Sequence, residues 1–256
     1  MLFSFPLSPN PDEAANPVVG CFYDDRKPNA YPAHRHRRAQ ILNVTRGVMV
    51  VSTEDNIWVV PPHRAAWIPS GIEHSVYYPQ GVALRSLYVD TSVLPVDLPG
   101  QFSVLQLDPL GCELIRAAAE LPWEDRGPGT HLAAALFDRL SVLAQGPLHL
   151  PDGRDRRLVR VMDALRADPS DSRTLEEFAL VAHCSRRTLA RLFVDETKMS
   201  FGAWRQQLRL LVALEQLAAG RPVSRVALDL GYGTPSSFST MFRRAFGTSP
   251  ARYFCK

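Results

Sequence analysis

Cysteine is scarce and scattered. Four occur in 256 residues, Cys21, Cys112, Cys184 and Cys255. None stands at the paired spacing of a zinc ribbon, and no closely spaced framework predicts disulfides, so a reducing cytoplasm is the expected setting. Long apolar runs are also missing. No stretch approaches the roughly 20 residues that span a bilayer, and no membrane partner is expected. The first eleven residues have no basic stretch ahead of an apolar one and are broken by Pro6, Pro9 and Pro11. They are not expected to act as a signal peptide.

A strong overall charge is lacking too, but the net of +3 hides a division within the chain. Residues 1–150 hold 11 Lys and Arg against 15 Asp and Glu, a net of −4, whereas residues 151–256 hold 18 against 11, a net of +7. A length of 256 predicts two modest domains rather than one large one. The basic excess belongs to the second, where it suits a phosphate-binding surface, because neutralised phosphates release counterions and supply much of non-specific affinity.

The most informative stretch runs from Gly231 to Pro250. Thr234 can cap a helix whose first position is Pro235, and Gly247 can end it in the left-handed conformation. Phe238, Met241, Phe242 and Ala245 repeat at helical spacing as a core face, and Ser236, Ser239, Thr240 and Arg243 form a small, polar and basic one. Upstream, Val223, Val226, Ala227 and Leu230 form another stripe that ends in the Gly231-Tyr232 turn. That order is a helix-turn-helix, whose second helix enters the DNA major groove. A second such unit precedes it. Thr174-Leu175-Glu176-Glu177 is a capping box, and Ser185 caps a helix with Leu189, Leu192 and Phe193 inward and Arg187, Ala190 and Arg191 outward. Between the units, Phe201 to Ala219 reads as a connecting helix of about 28 Å, near the roughly 34 Å between successive major-groove faces.

Two helix-turn-helix units on a long connecting helix, ending in Phe-Gly-Thr-Ser-Pro-x-x-Tyr-Phe, resemble the DNA-binding domain of the AraC/XylS family of transcription regulators. The resemblance implies base contacts from Arg187, Arg191, Ser236 and Thr240. Arg186, Arg243 and Arg244 are expected to contact phosphates. Arginine can fork onto guanine for about 1–3 kcal/mol of discrimination, so the first unit is expected to read sequence and the second mainly to position. His183 replaces the glycine usual in the first turn, and Lys198 replaces another before Met199-Ser200; both turns are expected to survive.

Residues from about 18 to 105 read as short strands, among them Val48–Val51, Ile57–Val60 and Val82–Val89, and predict an antiparallel barrel or sandwich. His34 and His36 stand two apart on one expected strand face, with Gln40 following. His34-x-His36, Gln40, Gly47 and then Pro69-x-Gly71-x-x-His74 resemble the two motifs of the cupin barrel. In metal-binding cupins those positions supply three histidines and a glutamate, so the resemblance implies His34, His36, Gln40 and His74 as ligands. Gln40 removes the negative charge. Three imidazoles still suit zinc, nickel, copper or iron(II), and the alternatives are histidines bonded within an empty barrel or touching an organic effector. His63, His131 and His149 are expected at the surface, and Tyr23, Trp58, Trp67 and Tyr88 mostly in the barrel core.

The expected class is therefore α+β: an N-terminal cupin-like antiparallel β-barrel with flanking helices, then an all-α domain of two helix-turn-helix units. The boundaries are an arm at 1–17, a barrel at 18–106, a helical segment for packing or dimerisation at 107–146, a linker at 147–153 and the DNA-binding domain at 154–256. The expected function is a cytoplasmic activator or repressor, not an enzyme. It would be a homodimer that binds double-stranded promoter DNA under a small-molecule or metal effector, with RNA polymerase a further candidate partner. The alternative is a metal-dependent cupin enzyme of oxygenase or isomerase type fused to a DNA-binding domain.

Overall fold

Short β-rich segments broken by turn residues become nine strands among the described residues of the N-terminal half. The computed structural model describes residues 10–92, 99–123, 129–143 and 148–254. Most of the expected arm, residues 124–128 of the expected helical segment, the start of the expected linker at 147 and Cys255 lie outside the described residues. The strands are β1 (Val18–Asp25), β2 (Asn29–His34), β3 (Ala39–Arg46), β4 (Met49–Ser52), β5 (Asn56–Val60), β6 (Arg64–Ile68), β7 (His74–Tyr78), β8 (Val82–Val89) and β9 (Ser103–Gln106). Helices α1 (Pro109–Ala119) and α2 (Gly129–Ser141) follow, and then strand β10 (His149–Pro151). The remainder is helical: α3 (Arg156–Ala167), α4 (Leu175–Val181), α5 (Arg186–Thr197), α6 (Phe201–Ala218), α7 (Val223–Asp229), α8 (Pro235–Phe246) and α9 (Pro250–Tyr253).

The chain divides into two units. The first comprises residues 1–54 and 60–147, the second 55–59 and 148–256. In the first, one antiparallel sheet runs β1-β8-β3-β6-β9 and another joins β4, β7 and β2. The two sheets are barrel-like but do not close. Full-length register between β1 and β8, from Val18 opposite Val89 to Asp25 opposite Val82, fixes the first sheet. Its outer face carries Val18, Ala39, Ile41, Trp67, Leu87 and Val89, and it is covered by Ile115 and Ala118 of α1 and Ala133, Leu136, Phe137 and Leu140 of α2. Apolar residues of the two helices thus pack on their own sheet.

In the second unit α3 buries Leu158, Val161, Met162 and Leu165. Phe193 lies 5.5 Å from Phe201 and 6.0 Å from Trp204 between ring centroids, so α5 is stapled to the start of α6. The strand β10, at residues expected as linker, pairs with β5 through His149 opposite Trp58 and Leu150 opposite Ile57. Trp58 is accordingly half-buried in the second unit rather than in the barrel core. His149 is half-buried against it, with ring centroids 4.8 Å apart, instead of lying free at the surface. His63 and His131 are exposed.

Candidate effector site and DNA-binding surface

Register brings two of the three histidines together. In the antiparallel pair of β2 and β7, His34 stands opposite His74, with the ring centroids 4.4 Å apart. His36 reaches the same place by a different route from the one expected. β2 ends at His34, residues 35–38 turn, and Gln40 belongs to β3 in the other sheet, so the three residues do not share one strand face. The turn is held by the second motif: Gly71, at φ 77°, donates its N–H to the His36 carbonyl at 3.0 Å, and the Ser70 hydroxyl donates to the Arg37 carbonyl. The ring of His36 then lies 5.2 Å from that of His74. One ring nitrogen from each of the three histidines falls within 4.8 Å of the others.

The backbone also sets the tautomers. Nδ1 of His34 lies 2.8 Å from the Pro32 carbonyl, Nδ1 of His74 lies 3.0 Å from the Ile72 carbonyl, and Nδ1 of His36 contacts the Arg38 carbonyl. A carbonyl only accepts, so each Nδ1 carries a proton, and in a neutral ring Nε2 then presents a lone pair. Burial pushes the His74 imidazole down to about 4 and lowers that of His34, which keeps both rings neutral at neutral pH. Nε2 of His74 is buried without a hydrogen-bond partner among the described residues. Gln40 donates from Nε2 to the Ser86 hydroxyl at 2.9 Å, which turns its Oε1 to within 3.1 Å of Nε2 of His36. Two lone pairs facing at that distance repel unless a cation both can ligate, or a proton, relieves them. The donor set therefore fits a divalent metal with His34, His36, His74 and the Gln40 amide oxygen as ligands. Ser86 and the three carbonyls escaped sequence reading because no side-chain motif marks them. Tyr88, expected as core, is buried and packs its ring 5.3 Å from that of His36.

In the second unit both expected recognition helices form. Ser185 caps α5 and Thr234 caps α8, each side chain accepting a backbone N–H at 3.1 Å, and the Thr174–Glu177 capping box opens α4. His183 takes φ 52° in the first turn and Gly231 takes φ 75° in the second. Lys198 ends α5 in the left-handed conformation, and α6 still starts at Phe201. Its 18 residues span about 27 Å. Arg186, Arg187, Arg191, Ser236, Thr240, Arg243 and Arg244 are all exposed. Arg186 pairs with Glu176 on α4, and Arg191 lies 3.9 Å from Asp195. Such exposed pairs are worth under about 1 kcal/mol and yield readily to a phosphate or base. Among the described residues no ion pair engages Arg187, Arg243 or Arg244.

No helix among the described residues is long and apolar enough to cross a membrane. Residues 17–176 match the AraC-like ligand binding domain, and residues 178–255 match a helix-turn-helix domain. The chain is 35% identical over 241 residues to the HTH-type transcriptional regulator NimR of Escherichia coli, covering 93% of this chain and 88% of that one. It is 32% identical over 244 residues to the HTH-type transcriptional activator RhaS of Yersinia pseudotuberculosis, covering 87% and 88%. Among solved structures, ToxT from Vibrio cholerae aligns over 93% of this chain and 98% of its own at 9% identity and a TM-score of 0.39. With a ligand-binding unit followed by two helix-turn-helix units, and a regulator matched over nearly its whole length, the chain belongs to the AraC family of transcription regulators.

Proposed function

We propose that the histidine cluster is the effector site, that the effector is a divalent transition metal or a molecule bound through one, and that its occupancy alters promoter binding by the second unit. The observation that carries this reading is the convergence of His34, His36 and His74 on one point, with every Nδ1 tied to a carbonyl. Those three residues and Gln40 would hold the ion; a bound ion supplies positive charge and open coordination positions for a small ligand. On DNA, Arg187 and Arg191 of α5 read bases, while Ser236 and Thr240 of α8 are short and tolerant and mainly set position.

The test is selection of binding sites from random duplexes by the full-length protein, metal-free and zinc-loaded, with metal content measured alongside. Wild type is expected to bind one ion per chain and to change its DNA affinity by roughly five- to 150-fold on loading, the usual range of coupling between sites. His74→Ala loses the ion, and Arg191→Ala relaxes the selected sequence more than Thr240→Ala does. Undiminished metal content in His74→Ala rejects the site, and the reverse order of the two DNA variants rejects the division of labour.

A further inference from the structure

The connecting helix has two faces, and the core uses only one. Phe201, Trp204, Leu208 and Leu211 are buried, whereas Gly202, Arg205, Gln206 and Arg209 recur at i, i+3, i+4 and i+7 on another stripe. Ser237, Thr240, Met241 and Arg244 do the same on α8. The two stripes wall a groove of about 440 Å³, with Tyr232 also lining it.

The groove is built as a cationic seat. Arg209 donates from Nε to the Pro169 carbonyl at 2.7 Å and from Nη2 to the Ser170 and Asp171 carbonyls at 3.3 and 3.2 Å, and its guanidinium lies 5.7 Å from the Tyr232 ring centroid. Its hydrogen-bond and ring partners are neutral carbonyls and Tyr232, while Asp168 and Asp171 act on it only through longer-range attraction. Arg205 donates to the Arg173 carbonyl at 2.8 Å and lies 4.8 Å from the Phe201 ring centroid. Among the described residues no carboxylate lines the groove, and nearby Asp171 is taken by Arg173 at 2.5 Å. Three arginines converge on a space bordered by Thr240, a residue of the recognition helix.

We propose that this groove seats a backbone phosphate of the bound DNA, which makes the connecting helix a DNA-contacting element through Arg205 and Gln206 with Arg209 as its charged floor. The proposal rests on the DNA-binding reading above and adds to it residues that lie outside both recognition helices. Charge complementarity selects a phosphate, and the shared wall with Thr240 selects DNA over the free ion. A phosphate held there fixes how deeply α8 enters its groove, since backbone contacts set register.

The experiment measures anisotropy of a short labelled duplex of arbitrary sequence with the full-length protein, between about 50 and about 200 mM salt, where each phosphate contact contributes about 0.9 to the slope of log affinity against log salt. Arg205→Gln and Gln206→Glu are each expected to reduce that slope by about one, which is about tenfold in affinity at 0.1 M relative to 1 M. Gln206 is exposed, so Gln206→Glu spares the core and remains informative if Arg205→Gln melts early. Arg116→Gln in the N-terminal unit removes the same charge and keeps the wild-type slope. Wild-type slopes in both groove variants overturn the proposal while leaving DNA binding intact; failure of the wild type to bind any duplex overturns the DNA-binding reading itself. Inorganic phosphate is the competing occupant. Binding of it that Arg205→Gln abolishes, with duplex slopes unchanged, assigns the groove to the free ion and also overturns the proposal.

Discussion

Glu215 is a carboxylate set among leucines. It lies on α6 next to Leu214, with Leu211 and Leu217 buried nearby, and burial pushes its carboxyl up from an ordinary 4.5 to about 7. In the folded chain the group holds its proton to about pH 7, and in the unfolded chain it releases it near 4.5, so between those values the folded state binds more protons. Stability therefore falls as pH rises through that window and levels off above it. At about 1.4 kcal/mol per unit the cost comes to about 3.5 kcal/mol at about pH 8. Glu215→Gln is expected to raise stability by about 2 kcal/mol at about pH 8 and by little near pH 5, measured by urea unfolding at both. Equal gains at the two pH values exclude the carboxyl as the cause. At this scale the sequence shows which residues carry chemistry but not their surroundings. His34, His36 and His74 are legible from spacing. That Gln40 faces them from the other sheet, aimed by Ser86, is a product of sheet pairing that no local pattern encodes.

The two helix-turn-helix elements solve one geometric problem with different residues. Both turns need positive φ; Gly231 supplies it at 75° without a side chain, while His183 supplies it at 52° against steric resistance. A Cβ at residue 231 would also meet the Ser170 carbonyl oxygen at 2.7 Å. Substitutions at the two turns should therefore have opposite signs. Gly231→Ala is expected to cost about 2–4 kcal/mol, by strain and collision together, whereas His183→Gly is expected to be neutral or to gain up to about 1 kcal/mol. Thermal unfolding of the two variants checks the pair, and destabilisation by His183→Gly greater than that by Gly231→Ala defeats the argument. The caps, turns and recognition faces were legible because helix periodicity and capping are local. The inner stripe of the connecting helix was not: Arg205 and Arg209 look like ordinary solvent-facing charge until α8 and the Tyr232 turn close a wall around them.

For the molecule as a whole, the two units meet along the chain between residues 147 and 148, and residues 55–59 cluster with the second. Residues 149–151 form a strand that docks on the DNA-binding unit: the Trp204 indole donates to the Pro151 carbonyl at 2.8 Å, the Gln207 amide donates to the His149 carbonyl at 3.1 Å, and Leu150 is buried. The strand's partner, residues 55–59, comes from the middle of the N-terminal half and clusters with the same unit. Local patterning missed this because a three-residue strand has no period to detect and its partner lies about ninety residues upstream. A fragment cut at residue 154 loses β10, and the buried Trp204 and Gln207 donors lose the carbonyls they serve. Each such loss costs about 1–3 kcal/mol. A fragment of residues 148–256 is therefore expected to unfold at higher denaturant than one of residues 154–256, by about 2–4 kcal/mol, and Trp204→Phe should shrink that gap by removing the indole donor. Equal stability of the two fragments would mean that β10 is a passive linker after all. A gap that survives Trp204→Phe unchanged would assign it instead to burial of Leu150.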